Sequence, residues 1–386
     1  MRISIRNLTL ATATALALTA LLAGCSSAAG TPPGDDSAAG TDIDPDVLAQ
    51  LDQYAAPVEI TYDGEPFSIA EADGKTVWWV TFYSGNPFLA AVGASFTEAL
   101  ESQGVSVVSC DGKGNPVDVN ACISQAAAQG ADAIQVDGPE PKTYANALSA
   151  AEDAGIPVLS GAALDASSEP YDGLAGQSSQ PFELTGELAA DWIIRDSGGE
   201  ANVLFLTVPD VIGSTQEEAA FSERITEKCP SCTVTVEGVT LANWATDLAT
   251  TTSGALLKNP AIDYVVPAFD PMIQFIAPAI QQAGKSESVG VVTVNGSLQQ
   301  MEDLQAGRIA AEVGVDLNAL GYVEADQVLR VITGNAPLEL AYAPVRIFDA
   351  TNVADLTIDE ASRASGNWYV SSGSFSDVFT DEIWTQ

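Results

Sequence analysis

The chain has no histidine, so the side chain that most often serves as a general base near neutral pH, and most often ligates metals, is missing. Ser-His-Asp and Cys-His chemistry is thereby excluded. Basic residues are scarce as well: 14 Lys and Arg stand against 52 Asp and Glu, a formal charge of −38 at pH 7. A polyanion would be repelled, and no nucleic acid is expected to bind. Charge of one sign also favours solubility through self-repulsion. What is present begins with Arg2 and Arg6 and an uncharged, mostly Leu, Ala and Thr run from Leu8 to Leu22. Residues 1–24 therefore read as a secretion signal, too short for a secure transmembrane span.

The run ends in Leu22-Ala23-Gly24-Cys25, which resembles the lipobox of bacterial lipoproteins. The resemblance implies acylation of Cys25 and an extracytoplasmic protein held at the membrane, each buried methylene contributing about 0.8 kcal/mol. Ser, Ala, Gly, Pro and Asp dominate the stretch after Cys25, so residues 25–45 are expected to be the lipidated cysteine and a flexible tether. Asp42, Asp44 and Asp46 alternate, but the Gly and closing Glu of a calcium loop are missing, and a solvated acidic linker is expected.

Four further cysteines remain: Cys110, Cys122, Cys229 and Cys232. In an oxidising compartment, proximity suggests Cys110 with Cys122 and Cys229 with Cys232, one of three connectivities. A redox reading of Cys229-Pro230-Ser231-Cys232 conflicts with its place after a helix and before a strand. A four-cysteine metal site would have only one close pair. Neither metal nor cofactor is expected.

From Lys75, short β-branched runs alternate with longer amphipathic stretches, the signal of strand-helix-strand units on a parallel sheet. Strands are expected at 76–82, 105–109, 131–136 and 156–160, with helices near 86–103, 117–129, 142–154 and 182–195. The cycle restarts with strands at 203–207, 233–239, 264–267 and 289–294 and helices near 216–228, 243–258 and 271–283. A helix near 317–333 and an extended 345–348 supply return crossings. The expected fold is α/β: two similar doubly wound parallel-sheet lobes joined by a hinge, with a ligand cleft beyond their strand ends. The N-terminal lobe would hold 75–180 and about 314–344, and the C-terminal lobe 181–313 and about 345–360. Residues 46–74 and 361–386 would be extensions. The rings at Trp368, Tyr369, Phe375, Phe379 and Trp384 are too many to leave in water, so the tail should pack on a lobe or cover part of the cleft.

Several segments resemble the sugar-type, ribose-binding-protein-like periplasmic binding proteins of ABC importers, the type I group. They include Ser84-Gly85-Asn86-Pro87-Phe88, Gln129-Gly130-Ala131-Asp132-Ala133-Ile134 and Ala154-Gly155-Ile156-Pro157-Val158. Asn259-Pro260-Ala261-Ile262-Asp263, Phe269-Asp270-Pro271-Met272 and Thr351-Asn352-Val353 continue them in unbroken order. No helix-turn-helix precedes them, so a repressor of the same fold is not expected. The resemblance implies a clamp that captures a small molecule, most simply a sugar, and presents it to a membrane permease, acting as a monomer and not as an enzyme.

By the same resemblance, ligand positions fall at Phe82, Asn86, Phe88, Ser160, Thr215, Trp244, Phe269, Asp270 and Asn295. The chain also departs from the family. Phe82 replaces a small polar residue, Ser160-Gly161-Ala162-Ala163 lacks the Asp-Arg pair that grips sugar hydroxyls, and no arginine lies near Ser214 and Thr215. Phe269 stands for an amide, Asn295-Gly296 for Asp-Gly and Val315 for a glutamine. Rings would cover the apolar faces of a sugar and amides would bind its hydroxyls. Each phenylalanine is as readily core, Trp244 as readily helix packing, and Asp270, before Pro271, as readily a helix cap. A nucleoside or other neutral ring compound fits the same chemistry, and the fold also serves sensor subunits of receptors. A hydrolase using Asp270 with Asp210 has no support in the spacing.

Overall fold

The computed structural model describes residues 43–60, 62, 64–338 and 343–385, so the signal, Cys25 and nearly all of the tether lie outside the described residues. The chain enters through α1 (Pro45–Ala55), whose first turn carries Pro45 and is capped by the Asp44 carboxylate accepting from the Asp46 N–H. Val47 and Leu51, one turn apart, are its buried face. Asp44 and Asp46 both reach Lys228, at 3.1 and 3.5 Å. The end of the expected solvated linker is thus docked on the protein by an ion pair. A short strand, β1 (Phe67–Ser68), comes next.

The first lobe contains β2 (Thr76–Thr81), α2 (Pro87–Ser102), β3 (Ser106–Asp111), α3 (Pro116–Ala128), β4 (Ala133–Asp137), α4 (Ala145–Asp153), β5 (Val158–Gly161) and β6 (Gly176–Gln177). Its five strands are parallel in the order β3-β2-β4-β5-β6. β2 and β4 at the centre are almost wholly buried, as strands covered by helices on both faces must be.

The second lobe contains α5 (Phe182–Asp196), β7 (Asn202–Thr207), α6 (Ile212–Lys228), β8 (Thr233–Gly238), α7 (Trp244–Lys258), β9 (Tyr264–Pro267), α8 (Ile273–Gln282), β10 (Gly290–Asn295), α9 (Leu298–Gln305) and β11 (Ala311–Val315). The chain then returns to the first lobe as α10 (Leu317–Ile332) and comes back as β12 (Val345–Asp349). The six strands order as β12-β11-β10-β9-β7-β8, parallel except for β12, which pairs antiparallel with β11. The two-lobe α/β architecture is the one expected; α9 and β11 are elements that the sequence pattern does not predict.

α10 is buried along its whole length from Leu317 to Arg330. Gly321 lets it approach α2 closely, since a Cβ there would press on Ser95 and the Val92 carbonyl. Asn318 donates to the Ser95 hydroxyl across the same contact. Both expected disulfides are formed: Cys110 of β3 to Cys122 of α3, and Cys229 to Cys232 between α6 and β8. The carboxyl-terminal rings are buried as expected, and the chain ends in β13 (Trp384–Thr385), paired in parallel with β1.

Candidate binding cleft

The expected site residues lie at, or in the connections and helix starts that follow, the carboxyl ends of strands in the two sheets. In the first lobe Phe82 lies just after β2 and is half-buried. The Asn86 side-chain oxygen accepts from the Phe88 and Leu89 N–H groups at 2.9 and 3.5 Å, capping α2. That role consumes its oxygen and leaves its amide N–H group for other partners. Phe88 is buried in the main core. Ser160 is also buried, on the face of β5 that looks to Tyr144.

In the second lobe Thr215 lies in the first turn of α6, half-buried, its hydroxyl donating to the Ile212 carbonyl at 2.8 Å. Trp244 opens α7 and Phe269 comes shortly after β9; both are half-buried and pack on the core. Asp270 is buried, with one oxygen accepting from the Ser297 N–H at 3.0 Å and the other without a partner among the described residues. Asn295 ends β10 at φ +113°, and Gly296 continues at +78°, so the chain turns sharply just past the end of β10. The Asp270 to Ser297 bond ties these two strand ends together. Phe269 and Asp270 after β9 and Asn295 at the end of β10 are thus brought near one another by that bond; Ser160 and Phe88 belong to packing around the first sheet.

Two buried carboxyl groupings add to the residues that the sequence singles out. In the first lobe Asp137, at the end of β4, accepts from the Trp79 indole N–H and from the Gln135 amide at 2.7 Å. Glu324 of α10 faces it. Burial raises Asp137 and raises Glu324 well above the usual carboxylate range, the latter pushed further by the Asp137 charge. Each carboxyl thus makes ionisation of the other harder. Gly161 makes room for the pair, because a Cβ there would collide with both carboxyls.

In the second lobe Glu217 of α6, Asp270 and Glu312 of β11 face one another. Burial raises Asp270 well above its ordinary value, and the Glu312 charge adds to this. Glu217 is raised by burial and then by both neighbours. Glu312 accepts from the Thr293 hydroxyl and from the Gly296 N–H at 2.6 Å, and burial still pushes it up to about 7. Asp316, which caps α10, is pushed up to about 6 by burial. Among the described residues no Lys or Arg is ion-paired with any of these four carboxyls. The Tyr369 hydroxyl, from the carboxyl-terminal extension, is buried against Gly296 and Gly314. Charged residues within a helix or strand look solvent-facing in sequence, so only Asp270, beside a recognisable strand end, could be singled out.

A family model described as a periplasmic binding protein domain matches residues 77–336. The ribose import binding protein RbsB of Escherichia coli K12 is 23% identical over 268 residues, covering 66% of this chain and 85% of that protein. Its Salmonella typhimurium counterpart is 24% identical over 253 residues, covering 64% and 81%. Among solved structures, an ABC transporter solute-binding protein from Agrobacterium vitis with bound alpha-D-tagatopyranose has a TM-score of 0.67 at 20% identity, covering 78% of this chain and 100% of that one. One from Actinobacillus succinogenes with bound D-allose has a TM-score of 0.66 at 18% identity, covering 73% and 100%. These likenesses establish the type I periplasmic-binding fold. The matched proteins are binding proteins rather than enzymes.

Proposed function

The chain belongs to the periplasmic binding protein domain family, and on that premise we propose that it captures a small neutral ligand, a carbohydrate, and delivers it to the permease of an ABC importer. The observation that carries this reading is the chemistry of the strand ends: half-buried rings at Phe82 and Phe269, an amide N–H group at Asn86 beyond its capping oxygen, and buried carboxyls at Asp270, Glu312 and Glu217 that form no ion pair among the described residues. Rings and amides suit a polyhydroxylated ring. The sugar-bound proteins of the same fold support the same choice of ligand class. Closure of the two lobes about their crossings would enclose the ligand. Acylation at Cys25 would hold the protein at the membrane beside its permease, the tether giving it reach.

Mass spectrometry of whatever co-purifies, combined with calorimetry on free monosaccharides, tests the reading. Phe269→Ala should weaken the bound sugar by roughly 1 to 3 kcal/mol, the scale of a lost ring contact and its buried area, without unfolding the protein. A nucleoside or another neutral ring compound recovered in place of a sugar would change the ligand class. Unchanged affinity in both Phe269→Ala and Asn86→Ala would place the site elsewhere.

A further inference from the structure

The two ends of the described chain lie outside the residues the family model matches, and they run side by side. At the second lobe both are held by one side chain: Arg346 of β12 donates to the Ala55 carbonyl at 3.0 Å and to the Trp368 carbonyl at 2.5 Å. α1 packs there on α5 and β12. Next, the Val58 N–H donates to the Tyr369 carbonyl at 2.8 Å and the Ser371 N–H to the Val58 carbonyl at 2.9 Å. The same two segments then reach the first lobe, where β1 pairs with β13.

Their anchor on the first lobe is α10. Asp326, wholly buried, accepts from the Tyr62 hydroxyl at 2.5 Å, the Trp384 indole at 2.8 Å and the Arg330 guanidinium at 2.7 Å. Tyr62 comes from the amino-terminal segment and Trp384 from the carboxyl-terminal one, so one carboxylate ties both to the helix. Phe379 sits among Tyr62, Tyr322 and Trp384 with ring centroids 4.6, 5.9 and 5.2 Å away. Arg330 lies over Phe67 at 4.3 Å and donates to the Glu65 carbonyl at 3.1 Å.

We propose that these paired extensions form a strap across the two lobes that limits how far they open when no ligand is bound. Hinge motion in a two-lobed protein needs the crossing segments to absorb backbone rotation. Here, besides the crossings into α5, into α10 and into β12, two further segments bridge the lobes. They are fixed at both ends by buried hydrogen bonds and rings, so opening must stretch or release them. A strap of this kind raises the fraction of ligand-free molecules already near the binding-competent arrangement, which lowers the affinity lost to conformational selection.

The strap acts whatever the ligand is, and its test needs none. Spin labels are placed at positions 117 and 257 by non-natural amino-acid chemistry, which leaves the disulfides intact. Val117 and Leu257 are exposed, on α3 and α7 of opposite lobes and away from the strap. Pulsed dipolar spectroscopy of the full ligand-free chain should give one narrow distance. Trp384→Ala, and separately a chain with a protease site inserted at the exposed Ser372 and cut after purification, should give a wider distribution shifted in its mean. Each is measured only after calorimetry shows a cooperative transition; the cut chain serves if the substitution does not fold. A broad distribution in the uncut wild-type chain would overturn the proposal. So would a narrow distribution that stays unchanged when the strap is cut or Trp384 is replaced.

Discussion

Replacing Glu312 with Gln should remove much of the pH dependence of stability between pH 4.5 and about 7. Glu312 is fully buried, and its pKa is raised from 4.5 to about 7, first by burial. A carboxyl raised in the folded state binds its proton more tightly there than in the unfolded chain. Its contribution is therefore fully present below pH 4.5 and is lost as pH rises through about 7. With one pKa unit equal to about 1.36 kcal/mol, the loss is about 3 kcal/mol. The Gln amide keeps the geometry: its oxygen still accepts from the Gly296 N–H, and its N–H₂ donates to the Thr293 hydroxyl. Removing the charge also relieves Asp270, which it pushes upward. At roughly 2 °C per kcal/mol for a chain of this size, the difference in melting temperature between wild type and Glu312→Gln should move by roughly 5 °C in the variant's favour between pH 5 and pH 8. Scanning calorimetry of both proteins at the two pH values measures it. An identical difference at both would refute the idea that Glu312 titrates in a buried site.

Gly161→Ala should be strongly destabilising, on the order of 2 kcal/mol or more, because the added methyl meets the Asp137 and Glu324 carboxyls; urea unfolding checks it, and a loss under about 0.5 kcal/mol would show that the pair can move aside. Replacing Cys110 and Cys122 with Ser should cost about 2 to 3 kcal/mol, the scale of a short closed loop, and should leave ligand affinity unchanged because the bridge lies within one lobe. Peptide mapping that found free thiols at these positions would contradict that account.

The repeated units were legible because buried parallel strands are short β-branched runs with helix caps between them. Asn86-Pro87 shows this well: cap and first-turn proline stand together, and the helix begins where they place it. β11 was not legible, since Glu312 and Gly314 interrupt its apolar run and look like loop chemistry, yet both are needed where strand ends, carboxyls and Tyr369 crowd together. α10 is recognisable as a helix, but its Glu324 and Asp326 read as a solvent face. Their burial depends on Asp137 and on Tyr62 and Trp384, partners far away in sequence. As candidates, Phe269, Asp270 and Asn295 could be named because each stands at or just after the end of a recognisable strand, whereas Ser160 lies on the strand face that meets Tyr144. Register within a short strand decides such a case, and composition does not.

The same burial that raises these carboxyls also bears on which ligands the cleft can accept. A sugar phosphate brought to the ends of β9 and β10 would place its anion near Asp270, one of whose oxygens has no partner among the described residues, and near Glu312 and Glu217. Burying an unpaired anion costs several kcal/mol, and like charge beside it adds to that. A neutral sugar meets no such penalty, because its hydroxyls can donate to a carboxyl oxygen without bringing a second charge. Discrimination of at least about 100-fold, about 2.7 kcal/mol, is therefore expected between a free sugar that binds and its phosphate ester. Calorimetry with the sugar identified in the screen and with its phosphate measures the ratio. Comparable affinity for the two would mean that the anion finds a cationic partner, and the ligand would then lie away from Asp270.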